Sequence, residues 1–309
     1  MEGRHLGGAR ALSRWTRWGD YMPSPSGKPQ TPNDKRQTAA RLAAASLAAM
    51  MAAACATVPI TGRSQLMLVS QEEEGRMGAA AFQQLSSEES TKGRAVRPEQ
   101  DPGLYQRVRT VGDRIIRAAG LERAYQWEYL VIRSSEVNAA AIAGGKIIVY
   151  TGILPVMAND AGMAAVLGHE VGHVLAHHTG ERLSQAGLTQ AALAGTAAAM
   201  ERGTGSGAGA QTVMAVFGLG AQVGVLLPYA RAQESEADHI GLILMAKAGY
   251  DPREAIALWQ RMEQRGGQSP PQFLSTHPNP GTRITQLNQW IPEAWPYYQN
   301  PNLPLPGPR

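Results

Sequence analysis

The chain has 309 residues, is 43% hydrophobic and 17% charged, carries a formal net charge of +4 and contains one cysteine, which excludes an intrachain disulfide. Its positive charge sits at the N-terminal end: residues 1–54 hold 8 Lys and Arg against 3 Asp and Glu, leaving 21 against 22 in residues 55–309. The main body is therefore close to neutral, and with neither a Gly-rich phosphate loop nor interleaved aromatic and basic residues, nucleic acid is excluded as a partner.

Residues 1–38 carry Pro23, Pro25, Pro29 and Pro32 and no sustained hydrophobic period, which reads as unfolded leader. Lys35, Arg36 and Arg41 then precede the apolar run Leu42–Ala54, which ends at Cys55. Basic residues, a short apolar core and small residues before the end make a secretory signal, and the run is too short for a comfortable membrane span. The pattern is similar to a bacterial lipobox, with Ala52 where leucine is usual, so Cys55 is the expected lipidation site and membrane anchor. Ala56 after it, rather than Asp, implies by the same similarity a periplasmic lipoprotein at the outer membrane. The expected division is leader and signal peptide over 1–54, tether over 55–69 and a single domain over 70–309.

Within that domain, Ser70 and Glu73 form a capping-box pattern that starts a helix, and Asp101-Pro102 starts another, with Leu104, Val108, Val111, Ile115 and Ile116 at helical spacing. Residues 127–132 and 146–151 read as strands, the second preceded by a turn at Gly144-Gly145. A helix starting at Asn159 or Asp160 and ending or weakening near Gly180 carries His169-Glu170-Val171-Gly172-His173. Histidines four apart on a helix lie one turn apart on one face, so His169 and His173 can ligate one Zn²⁺ ion while Glu170 serves as general base toward water. His177 and His178 are expected as polar residues at the helix end, and the metzincin pattern fails at Ala176 and Thr179. Residues 186–227 read as two close-packed helices around a Gly-rich loop, 203–209, which is a candidate lid.

The third ligand is expected from the helix ending at Gly249. Glu234 and Asp238 are four apart and share a face, so Glu234 can reach the metal while Asp238 hydrogen-bonds a ligand histidine; Glu236 is expected to point away and His239 to be packed or solvent-facing.

With His169-Glu170-x-x-His173, Glu234-x-x-x-Asp238, the Asn138–Tyr150 segment and Ser275-Thr-His277-Pro278 with Arg283, the chain resembles the zinc metallopeptidase family that includes HtpX and the CAAX prenyl proteases, in its exported lipoprotein branch. One departure is Ala143, where many relatives carry proline. The resemblance implies an α+β, mainly helical, zincin-like domain with a small sheet and an exposed edge strand, one Zn²⁺ per chain and endopeptidase activity. It implies that Lys146, Ile147, Ile148, Val149 and Tyr150 form the edge to which substrate backbone adds. It also implies a loop placing His277 over the zinc, as a fourth ligand or an oxyanion donor, with Arg283 tying the loop down. The expected substrates are unfolded or misassembled envelope proteins; the competing reading is a chaperone-like zinc lipoprotein that holds such proteins without cutting them.

Overall fold

The computed structural model describes residues 55–189, 227–265 and 280–307, together with Arg41, Phe273 and His277. The expected leader, apart from Arg41, and the Gly-rich loop 203–209 lie outside the described residues. No described helix is long and apolar enough to cross a membrane.

The fold is α+β and mainly helical. In chain order it comprises β1 (Cys55–Thr57), β2 (Ser64–Leu66), α1 (Gln71–Thr91), β3 (Ala95–Val96), α2 (Pro102–Ala118), β4 (Glu128–Ile132), β5 (Ala139–Ile142), β6 (Lys146–Tyr150), a 3-10 turn (Thr151–Ile153), α3 (Leu154–Met157) and α4 (Asp160–Leu175). There follow a helical stretch over residues 178–189, here α5, and then α6 (Leu227–Lys247), α7 (Glu254–Arg265) and α8 (Pro280–Gln299). The caps hold where side chains can reach. Ser70 accepts from the Glu73 N–H and Asp101 from the Leu104 N–H, while Asn159, rather than Asp160, caps α4 by accepting from Gly162. Glu73 turns to Arg76, so the capping box is not closed from its side.

The main sheet runs β3-β4-β6-β5, with β4 and β6 parallel and the outer pairs antiparallel. Its side chains alternate between two cores, as period-2 geometry requires. Leu130, Ile132 and Ile148 pack beneath Phe82 of α1, whereas Val131, Ile147 and Val149 enter the larger core among the helices. This corrects the expected edge. β6 lies between two strands, with Lys146 to Val149 buried, so Lys146–Tyr150 cannot receive a substrate strand; among the described strands the edge on that side is β5. A fully apolar run suits a strand covered on both faces and paired on both sides, which is the reading Ile147, Ile148 and Val149 satisfy.

The stretch 55–69 is not a free tether. β1 and β2 form a hairpin whose turn buries Val58 and Ile60 in the main core, while the Leu68 and Val69 N–H groups donate to Ser184.

Helix α4 is buried all round, not along one stripe. Its tightest neighbour is α6, where Gly168 faces Gly241 and Gly172 faces Ala237 so closely that a Cβ on either of these α4 glycines would stand within 3 Å of a carbonyl oxygen. This approach of two backbones carries His169 and His173 to within reach of Glu234. α4 ends earlier than Gly180 suggested. Ala176 caps it, and His177 takes a left-handed backbone with φ of 51°, after which α5 begins. Buried Glu74 clasps that corner, accepting from the Gly180 N–H at 2.7 Å and meeting His177 Nδ1 at 2.9 Å. At the other end of α6, Gly249, with φ of 81°, terminates the helix, as expected of a C-cap glycine.

Candidate metal centre

Helix α4 contributes His169, Glu170 and His173, α6 contributes Glu234 and Asp238, and the segment before α8 contributes His277; all six are buried. His169 Nε2 and His173 Nε2 stand 3.1 Å apart. Each lies 3.4 Å from a different oxygen of Glu234. His277 Nδ1 lies 3.1 Å from His169 Nε2 and contacts Glu234 as well. These four residues form a group whose ligand atoms fall within 4.8 Å of one another.

The spacing fits zinc. Ligand atoms about 2 Å from a tetrahedral ion stand roughly 3.3 Å from each other, close to the separations between the histidines and Glu234. The donor set, imidazole nitrogens with a carboxylate, is a zinc set. One further observation agrees: Glu170 Oε1 is buried with no hydrogen-bond partner among the described residues, and His277 Nε2 stands 3.5 Å from it. The other oxygen, Oε2, accepts from the Ala141 N–H at 3.0 Å. That N–H lies on the side of β5 away from β6, so the carboxylate and the outer edge of the described sheet face the same space.

Each of the two candidate ligand histidines on α4 is held from behind. His169 Nδ1 meets Asp238 Oδ1 at 3.0 Å, and Asp238 is gripped by Arg283, whose guanidinium lies 3.7 Å from the centre of the Trp259 ring. Arg283 Nη1 also reaches the His277 carbonyl at 3.4 Å, which ties that residue's backbone to the site. His173 Nδ1 lies 2.6 Å from His178 Nδ1, and His178 Nε2 lies 3.0 Å from Glu236 Oε2.

The charges follow from these contacts. Burial drives His173 well below its usual value, which favours the neutral form a ligand needs. Burial and the charge of Arg283 push His169 down as well, but its bonds to Asp238 and Glu234 outweigh them and raise it to about 9. Burial alone would raise Glu234; the histidines around it hold it well below the carboxylate range instead. Asp238 is likewise held low, because Arg283 and His169 overcome the effect of burial.

The structure thus brings together His169, Glu170, His173, Glu234, Asp238, His277 and Arg283. It does not bring β6 to the site, and it places Cys55 at the exposed start of β1. His239 is engaged elsewhere, stacked on Trp290 and 2.9 Å from Glu293. The sequence reasoning missed three participants. Glu236 does turn from the metal ligands, yet it is buried and joined to His173 through His178; both had been given no part in the site. Ala141 contributes only a backbone N–H, which no residue type signals.

Comparison with known proteins gives the same picture. Residues 103–291 match the model of peptidase family M48. The mitochondrial metalloendopeptidase OMA1 of Schizosaccharomyces pombe is 37% identical over 240 residues, covering 77% of this chain and 66% of the relative. That of Saccharomyces cerevisiae is 32% identical over 257 residues, covering 78% and 70%. The beta-barrel assembly-enhancing protease of Yersinia pestis is 28% identical over 207 residues, and the match covers 64% of this chain and 41% of that protein. With the family model matching more than half of its length and the donor set in place, the chain belongs to peptidase family M48.

Proposed function

We propose that the protein is a zinc-dependent metalloendopeptidase of the bacterial cell envelope that hydrolyses unfolded or misassembled polypeptides. The observation that carries this reading is the position of Glu170, one oxygen held by the edge strand and the other without a partner among the described residues, beside three candidate ligand residues at zinc spacing. Zinc held by His169, His173 and Glu234 would supply Lewis acidity toward the scissile carbonyl and toward water. Glu170 Oε1 takes the proton of the attacking water and returns it to the leaving amine, while the Ala141 N–H keeps Oε2 from turning away. Asp238, fixed by Arg283, holds the His169 ring with Nε2 forward. The open edge of β5 receives the substrate backbone as an added strand, a mode that reads extended and therefore unfolded chain. His277, whose Nδ1 contacts His169 Nε2 and Glu234, would serve as a further ligand in the resting site and would give way to substrate.

The envelope location rests on the basic and apolar stretch before Cys55, with lipid attached at that residue. The relatives bear on it in two ways, since those of higher identity are named as mitochondrial and that of lower identity is named for β-barrel assembly. Peptide mapping of casein and of a denatured outer-membrane protein, incubated with the protein and zinc with and without chelator, tests the activity. Chelator-sensitive internal cleavage is expected. Stoichiometric retention of intact polypeptide would instead favour a chaperone-like role.

A further inference from the structure

The buried groups behind His173 belong to an arrangement that the reaction described above does not use. α5 begins immediately after the left-handed turn at His177, and this folds His178, which is fully buried, back against the far nitrogen of His173. Beyond it stands Glu236, whose Oε2 also accepts from Arg63 Nε at 2.8 Å and whose Oε1 accepts from the Thr61 hydroxyl. Arg63 in turn holds Glu181 with two N–H groups, at 2.8 and 2.7 Å. Thr61 and Arg63 lie in and beside the turn of the β1–β2 hairpin, which the buried side chains of Val58 and Ile60 pin to the core. A continuous path of hydrogen bonds therefore runs from the hairpin that follows Cys55 to a candidate metal ligand.

The proton positions along this path are decided by chemistry. A hydrogen bond between two Nδ1 atoms needs one donor and one acceptor. If His178 donated from Nδ1, a neutral ring would turn an unprotonated Nε2 toward the Glu236 carboxylate, lone pair against anion, at 3.0 Å. The opposite choice satisfies both contacts of His178. His178 carries its proton on Nε2 and donates it to Glu236, and its Nδ1 accepts from the Nδ1–H of His173. The Nε2 of His173, the atom that faces His169 and Glu234, is then left unprotonated.

We infer that His178 and Glu236, anchored by Arg63 and Thr61, are positioning residues that fix the tautomer and orientation of His173, so that the N-terminal hairpin is part of the metal centre. The inference rests on the reading of this site as a zinc centre. It makes the site asymmetric: His169 is backed directly by a carboxylate, His173 through a second imidazole. Orientation of a ligand ring by an outer partner is generally worth about 10- to 100-fold in metal affinity.

The test measures zinc affinity by competition with a chelating dye, together with the nitrogen-15 shifts and proton couplings of the histidine rings. His178→Phe fills the same volume without an acceptor and is expected to bind zinc about 10- to 100-fold more weakly. His178→Asn places an amide oxygen near the position of Nδ1 and is expected to recover most of the loss, which a role in filling space alone would not produce. In the zinc-loaded unaltered protein, His178 is expected to be protonated at Nε2 and His173 at Nδ1. A folded His178→Phe protein with unchanged affinity, failure of His178→Asn to recover affinity, or His178 protonated at Nδ1 in the unaltered protein would overturn the inference; the ring measurement decides it even where a variant does not fold. Absence of zinc binding by the unaltered protein would instead overturn the metal centre itself.

Discussion

Replacing Gly241 by alanine tests whether the approach of α4 and α6 builds the metal centre. In a solvent-exposed helix interior the change would stabilise by about 1 kcal/mol, because glycine is the poorer helix former. Here a Cβ at position 241 would stand 2.6 Å from the His169 amide nitrogen and 2.8 Å from the His169 Cα, both backbone atoms that cannot swing aside. Real Cβ atoms do not sit within 3.0 Å of a neighbour, so the helices must part by several tenths of an ångström at the turn that carries a ligand. Overpacking of this kind costs about 1–3 kcal/mol, enough to cancel the helix gain or reverse its sign, and it moves Glu234 away from the histidines. The expected outcome is a net loss of about 1–2 kcal/mol in urea unfolding of the zinc-free protein, with zinc affinity lower by about tenfold or more. Gly187 supplies the control. It is exposed in α5 with open space where a Cβ would go, so Gly187→Ala is expected to gain up to about 1 kcal/mol with zinc affinity unchanged. A Gly241→Ala protein as stable as the Gly187→Ala protein, with unaltered zinc affinity, would refute the reasoning.

Other outcomes follow from the same geometry. If His277 blocks the resting site as proposed, His277→Ala is expected to leave or raise kcat on an unfolded substrate; a fall of about 10² would assign it to oxyanion stabilisation instead. Zinc must displace a proton from His169, which its carboxylate partners hold up to about 9. Proton competition weakens as pH rises, so zinc affinity is expected to climb about tenfold per unit between pH 7 and 8.5, and a flat profile by dye competition would contradict a protonated His169. Cys55→Ser is expected to yield soluble or unprocessed protein in cell fractions; a processed, membrane-bound variant would remove Cys55 as the anchor.

Much of the site was legible because its signals are local. Two histidines one turn apart, a glutamate between them and the Glu234–Asp238 pair each declare a shared helix face, and the structure brings those faces together. What was not legible depends on how elements meet. Lys146–Tyr150 carries the stronger strand sequence, yet which of two neighbouring strands ends a sheet is set by pairing that β5, a short run of alanines, does not announce. His178 lies five residues beyond His173, on a different face of any continuous helix, and only the left-handed backbone at His177 returns it to the site. Glu236 is on the wrong side of α6 to touch the metal ligands directly, so periodicity rightly turned it away from them while saying nothing of the chain of hydrogen bonds behind His173. The 55–69 stretch read as a tether because two buried apolar side chains, Val58 and Ile60, are too few to form a period.

The most direct test of the central claim compares the unaltered protein with Glu170→Gln for zinc content and for turnover of an unfolded polypeptide. Glutamine keeps the shape and can still accept from the Ala141 N–H, but it cannot take a proton. The account predicts one zinc per chain in both proteins and cleavage at least about 10² slower in the variant. A zinc-loaded Glu170→Gln protein that cuts at the unaltered rate would contradict it.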